Sequence, residues 1–183
     1  AKVNAEKRTA TTLNHSATHL IQAALREVLG DHIAQKGSLV NEKYLRFDFS
    51  HFQKVEKAEI EQIENKVNAK IREAVELEEV RNVPYDEAVS KGAIALFGEK
   101  YGDTVRVIAF DKDYSVELCG GTHVSNTAHI GRVKIIHEGA VAAGVRRIEA
   151  ITGNKADDYI KNQMILLEKL RTELGNPQDL MIA

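Results

Sequence analysis

His15-Ser-Ala-Thr-His19 and Cys119-Gly-Gly-Thr-His123 stand about a hundred residues apart, and one ion bound by both would tie an early helix to a loop in the second half of the chain. Histidines at i and i+4 sit about 40° apart around a helix, so both imidazoles reach one ion. Cys119 and His123 offer a thiolate and a further imidazole from a loop that Gly120 and Gly121 make pliable enough to wrap it. Soft sulfur combined with imidazole nitrogen selects zinc over magnesium or calcium. Cys119 is the single cysteine, so no intramolecular disulfide competes for it. Four protein ligands close a tetrahedral site, the usual form of a structural zinc, whereas a catalytic zinc keeps a position open; the spacing leaves both readings standing. Ser16 occupies the place where a zinc protease carries its glutamate, so that position supplies no general base.

The hydrophobic pattern places this pair of half-sites in an α+β chain. Apolar residues between Thr9 and Leu29 recur at helical spacing, which predicts a helix with Thr11 or Thr12 as N-cap and Gly30 as C-cap. His15, His19, Gln22 and Arg26 form one stripe on it, facing away from Leu13, Ala17, Leu20, Ala24 and Val28. The β-prone runs His32 to Val40 and Lys43 to Phe49 predict a hairpin with Leu45, Phe47 and Phe49 on its core face and Arg46 and Asp48 engaged in an ion pair. Ile60, Ile63, Val67, Ile71 and Ala74 predict a second helix over Glu56 to Ala74, followed by a strand from Val75 to Val83 and a short helix from Asp86 to Lys91. Two further hairpins are expected: Thr104 to Phe110 with Tyr114 to Leu118, and Gly131 to His137 with Val145 to Thr152 around Gly139-Ala-Val-Ala-Ala-Gly144, read as a flexible turn. A last helix runs from Gly153 to about Leu174. The expectation is a mostly antiparallel sheet packed by helices, with barrel-like closure as one form of it.

Composition narrows the function. With 183 residues, 43% of them hydrophobic, the chain can bury one core. Lys and Arg number 25 against 27 Asp and Glu, so a globally basic nucleic-acid-binding domain is excluded and only a local basic patch remains. No apolar run has the length of a membrane span and the N-terminus has no signal-like apolar stretch, so neither membrane insertion nor secretion is expected and the location expected is cytoplasmic. His32, His51, His129 and His137 have no partner at metal spacing and are expected in surface or structural roles.

Beyond the two half-motifs, Gly37-Ser-Leu-Val-Asn41, Leu45-Arg-Phe-Asp-Phe49, Gly92-Ala-Ile-Ala-Leu-Phe-Gly-Glu-Lys-Tyr-Gly102, Val116-Glu-Leu-Cys-Gly-Gly-Thr-His123 and Gly144-Val-Arg-Arg-Ile-Glu-Ala150 resemble the editing domain of alanyl-tRNA synthetase. The half-motifs are shared with free-standing alanyl editing proteins and with the threonyl-tRNA synthetase editing domain. The resemblance covers roughly Thr9 to Gly153, which implies an editing domain over residues 1–153 and a C-terminal helical connector over 154–183, with both ends as junctions to the rest of a synthetase. It implies zinc at His15, His19, Cys119 and His123, with Gln35 near the substrate. The activity implied is hydrolysis of serine or glycine wrongly esterified to the alanine tRNA. A buried amide that hydrogen-bonds a seryl hydroxyl discriminates against an alanyl methyl, because the methyl leaves it unpaired. Arg146 and Arg147 are the residues expected to meet phosphates of the tRNA acceptor end, with Lys100, Arg106, Arg132 and Lys134 extending that surface. The partners expected are therefore mischarged alanine tRNA and the other domains of the synthetase, with no membrane. A non-catalytic, zinc-stapled RNA-binding module and a free-standing trans-editing deacylase are the alternatives.

Overall fold

Asn4 opens the first helix: its side chain accepts a hydrogen bond from the Lys7 N–H at 2.9 Å, and α1 runs from Ala5 to Leu29 with Gly30 closing it. The expected N-cap at Thr11 or Thr12 is therefore corrected. Asn4 reaches the N3 N–H a full two turns earlier, while the Thr12 hydroxyl instead bonds back to the Arg8 carbonyl inside the helix.

The computed structural model describes residues 2–95 and 100–177. After α1 come β1 (Gln35–Val40), β2 (Leu45–Ser50), α2 (Lys57–Arg72), β3 (Leu77–Pro84), α3 (Tyr85–Ser90), β4 (Thr104–Phe110) and β5 (Ser115–Leu118). A 3-10 turn (Thr127–Ile130), β6 (Val133–Ala142), β7 (Val145–Thr152) and α4 (Gly153–Glu173) complete it. Part of the motif from Gly92 to Gly102 lies outside the described residues.

The three expected hairpins form, but in two sheets rather than one. A four-stranded sheet has the order β1-β2-β7-β6 and a three-stranded sheet the order β3-β4-β5, with every named pairing antiparallel. Barrel-like closure is overturned, since no pairing joins the two sheets into a closed ring among the described residues. The reason is α1, whose buried stretch from Ser16 to Leu25 fills the interior that a barrel would enclose. Leu20, Ile21, Ala24 and Leu25 join Leu45, Phe47, Phe49, Ile148 and Ala150 of the larger sheet, Ile63, Val67 and Ile71 of α2, and Ile108 and Phe110 of β4 in one core. Each large apolar side chain buried there stabilises the fold by about 1.5–3 kcal/mol.

Two further expectations change in detail. Gly139 to Ala142 belong to β6 and pair with β7, so the flexible turn shrinks to its end, where Gly144 takes φ 69 with the Phe52 ring packed over it. Asp48 is buried and held across the sheet by Arg147, whose Nε and Nη2 donate to its two carboxylate oxygens at 2.7 and 2.9 Å; the Arg46 contact is looser, at 3.7 Å. The helix α4 buries only Ala156, leaving Met164, Leu167 and Leu170 exposed. No helix among the described residues is long and apolar enough to cross a membrane.

Candidate metal centre

On the polar stripe of α1, His19 and Gln22 are buried while His15 and Arg26 are half-buried, and the Cys119 to Val124 segment packs against this helix. Ser16 accepts the Val124 N–H at 2.9 Å, and the Thr12 and Thr122 hydroxyls meet at 3.1 Å. This docking brings the two half-motifs together: one ligand atom from each of His15, His19, Cys119 and His123 lies within 4.8 Å of all the others. His19 Nε2 and His123 Nε2 are 3.1 Å apart, and Cys119 Sγ is 3.5 Å from His15 Nε2. A tetrahedral ion with metal–nitrogen bonds near 2.0–2.1 Å and a metal–sulfur bond near 2.3 Å has edges of about 3.3 and 3.6 Å. These two edges match such an ion, and the whole donor set, within 4.8 Å, lies close enough to gather around it.

The surroundings turn the right atoms inward. His15 Nδ1 lies 3.2 Å from the Thr122 carbonyl, which can only accept, so the proton sits on Nδ1 and the Nε2 lone pair faces the cluster. His19 Nδ1 lies 2.8 Å from Glu117 Oε2, both groups almost fully buried, in a contact that is electrostatic more than a well-aligned hydrogen bond. Burial by itself would lower the His19 pKa, but the charge of Glu117 and the Cys119 sulfur raise it to about 10. Burial would raise Cys119, yet its contacts with His123, His15 and His19 hold it down at about 3. The sulfur is thus a thiolate at neutral pH, the form that ligates metal, and an entering cation displaces the proton held by His19.

The loop has its own brace. Arg106 on β4 donates through Nη1 to the Cys119 carbonyl at 3.2 Å and the Gly121 carbonyl at 2.5 Å, while Nη2 pairs with Glu79 at 2.5 Å. Hydrogen bonds from Arg106 and Arg81 in turn pull the Glu79 carboxyl down to about 2. Gly121 passes directly beneath the His15 ring, where a Cβ would stand 2.0 Å from Cε1.

Three of the donors, His15, His19 and Cys119, open on a cavity of about 520 Å³ lined also by Thr18, Gln22, Gln35, Ser38, Glu117, Gly120 and Gly121. Gln35 is thus brought to the metal centre by the edge strand β1. Arg146 and Arg147 do not line this cavity: Arg146 pairs with Glu138 at 2.5 Å and Arg147 with Asp48. Of the further basic residues, Arg106, Arg132 and Lys134 each pair with a carboxylate. His32 and His51, expected in surface or structural roles, meet at 2.9 Å.

Glu117 was missed by sequence reasoning. Its signal was alternation, because Ser115 and Glu117 occupy every second position of a short strand and both point inward, with the Ser115 hydroxyl 3.3 Å from Glu117. A Glu117→Gln variant is expected to bind zinc or cobalt about 10- to 100-fold more weakly, as measured by chelator competition, because His19 loses its charged partner.

Residues 105–149 match the family described as the threonyl and alanyl tRNA synthetase second additional domain. Over 180 residues, 98% of the chain, it is 57% identical to the alanine–tRNA ligase of Cytophaga hutchinsonii, and over 181 residues it is 56% identical to that of Flavobacterium psychrophilum. The alanine–tRNA ligase of Bacteroides thetaiotaomicron is 57% identical over all 183 residues. The chain spans about a fifth of the length of these relatives, 20%, 20% and 21% respectively. The resemblance read from the motifs is borne out: the chain belongs to the alanyl-tRNA synthetase family and matches one segment of it.

Proposed function

We propose that this segment is a zinc-dependent aminoacyl-tRNA deacylase that removes serine and glycine wrongly esterified to the alanine tRNA and spares the alanyl ester. The observation that carries the reading is the convergence of His15, His19, Cys119 and His123 in one cluster, three of whose members, His15, His19 and Cys119, line a cavity that Gln35 also lines. At about 520 Å³ the cavity is of the size that small-molecule sites have. Zinc, where bound, would be held by these four residues and would supply Lewis acidity for ester hydrolysis.

The chain's own groups do the rest. The Thr122 carbonyl and Glu117 fix the rings of His15 and His19, and Arg106 holds the loop that carries Cys119. Gln35 offers an amide to the aminoacyl group at the β1 edge. Water adds to the ester carbonyl, the acyl–oxygen bond breaks, and the ribose oxygen leaves with a proton. Arg146 and Arg147 contact tRNA phosphate by exchanging their carboxylate partners for it. Residues 1–153 form the editing unit, and the helix beyond serves as a connector to the other domains, in keeping with the single buried residue of α4.

The competing reading is a closed, purely structural zinc in an RNA-binding module, which the four-protein-ligand set favours. Single-turnover deacylation of seryl-, glycyl- and alanyl-tRNA for alanine tests both, before and after zinc removal and restoration. The expected result is selective, zinc-restorable loss of seryl and glycyl ester. A folded, zinc-loaded chain with no hydrolysis of either ester would sink the deacylase reading.

A further inference from the structure

Five polar residues of α1 are buried: Asn14, Ser16, Thr18, His19 and Gln22. Four of them are accounted for. Asn14 donates to the Asn41 carbonyl and accepts from Thr152, each at 2.8 Å. Ser16 and Thr18 bond back into the helix and Ser16 also accepts from Val124, while His19 lies in the metal cluster. Gln22 is 4% exposed, and its amide has no hydrogen-bond partner among the described residues. It lines the cavity one helical turn beyond His19.

A side chain this buried whose amide meets no protein partner is uncommon enough in native structures to need a reason. The position supplies one. Three residues along a helix is a rise of about 4.5 Å, the span of one small amino acid measured from the metal ligand His19. Glu117 and Cys119 lie at the metal end of the cavity wall, whereas the neutral amide of Gln22 matches a neutral hydroxyl, which both donates and accepts.

We propose that Gln22 is the residue that senses the seryl hydroxyl, so that specificity for a hydroxylated aminoacyl group is set on the metal-binding helix itself. This rests on the deacylase reading above. Gln35 is only half-buried on an edge strand, and an amide that water can reach loses little when its ligand is absent. Gln22 is only 4% exposed, so a substrate that fills the cavity without a hydroxyl leaves its amide unpaired; that asymmetry is what makes hydrogen-bond recognition selective.

The test compares Gln22→Leu and Gln22→Glu with the parent chain, using seryl- and glycyl-tRNA for alanine in single-turnover assays and zinc content on the same samples. Gln22→Leu is expected to lower seryl clearance about 10- to 100-fold while glycyl clearance and zinc content stay within about twofold. Gln22→Glu, which keeps an acceptor, is expected to recover part of the seryl preference. An equal fall in seryl and glycyl clearance would assign Gln22 to the amino group or to helix packing and overturn the proposal, as would an unchanged ratio. Failure of the parent to hydrolyse either ester would instead overturn the deacylase reading.

Discussion

A Cys119→Ala chain is expected to bind zinc at least about a hundredfold more weakly than the parent and to lose seryl-tRNA deacylation alongside, while its far-ultraviolet circular dichroism stays that of the parent. The first half follows from the ligand count. Structural zinc binding contributes roughly 10–16 kcal/mol over four donors, so removing the one thiolate forfeits on the order of 3 kcal/mol. The second half follows from the core: Leu20, Ile21, Leu25, Phe47, Phe49 and Phe110 pack as one cluster that needs no ion to close it. Stability still falls to the extent that zinc no longer favours the folded form by mass action. Equilibrium dialysis and single-turnover kinetics read the two effects. Unfolding on zinc loss would move the assignment to a purely structural metal, and retained zinc with retained turnover would show that the donor set is wrong.

Replacing Gly121 by alanine should disable the same site without touching a ligand. The added Cβ would stand 2.0 Å from His15 Cε1 and 2.5 Å from its Nδ1, distances that no side-chain adjustment short of moving the ring can relieve. The ring is pinned by the Thr122 carbonyl on one side and faces Cys119 on the other, so either His15 leaves the cluster or the loop lifts off α1. A loss of zinc affinity on the order of a hundredfold is expected, as for removal of a ligand. Gly120→Ala is the control, because a Cβ there meets nothing within 4 Å and zinc affinity should change by no more than about twofold. Cobalt substitution makes the comparison visible, since the thiolate–cobalt absorption reports whether Cys119 still binds alongside the imidazoles. Equal zinc affinities for the two variants would mean that the close approach of Gly121 to His15 does not govern the site.

The local elements and the metal half-motifs were legible in the sequence because both rest on short-range periodicity. Helical spacing placed α1, α2 and α4, and alternation placed Leu45, Phe47 and Phe49 inside. The pairing of His15 and His19 with Cys119 and His123 was legible too, since donors of matched chemistry have few other ways to be satisfied. The helix start was misjudged because Thr12 is as good a cap by composition as Asn4, and only the backbone path decides which side chain meets a free N–H.

What the sequence by itself determined is therefore the element list and the four candidate donors, both products of residue type and local spacing. The tertiary structure alone decided that the strands split into two sheets around a buried α1, that Glu117 stands behind His19, and that Arg106 braces the loop. It alone decided as well that Gln22, almost fully buried, lines the cavity without a hydrogen-bond partner among the described residues. Each of these depends on which side chains are brought together across long stretches of chain, and a buried polar group acquires its meaning only from what is, or is not, packed against it.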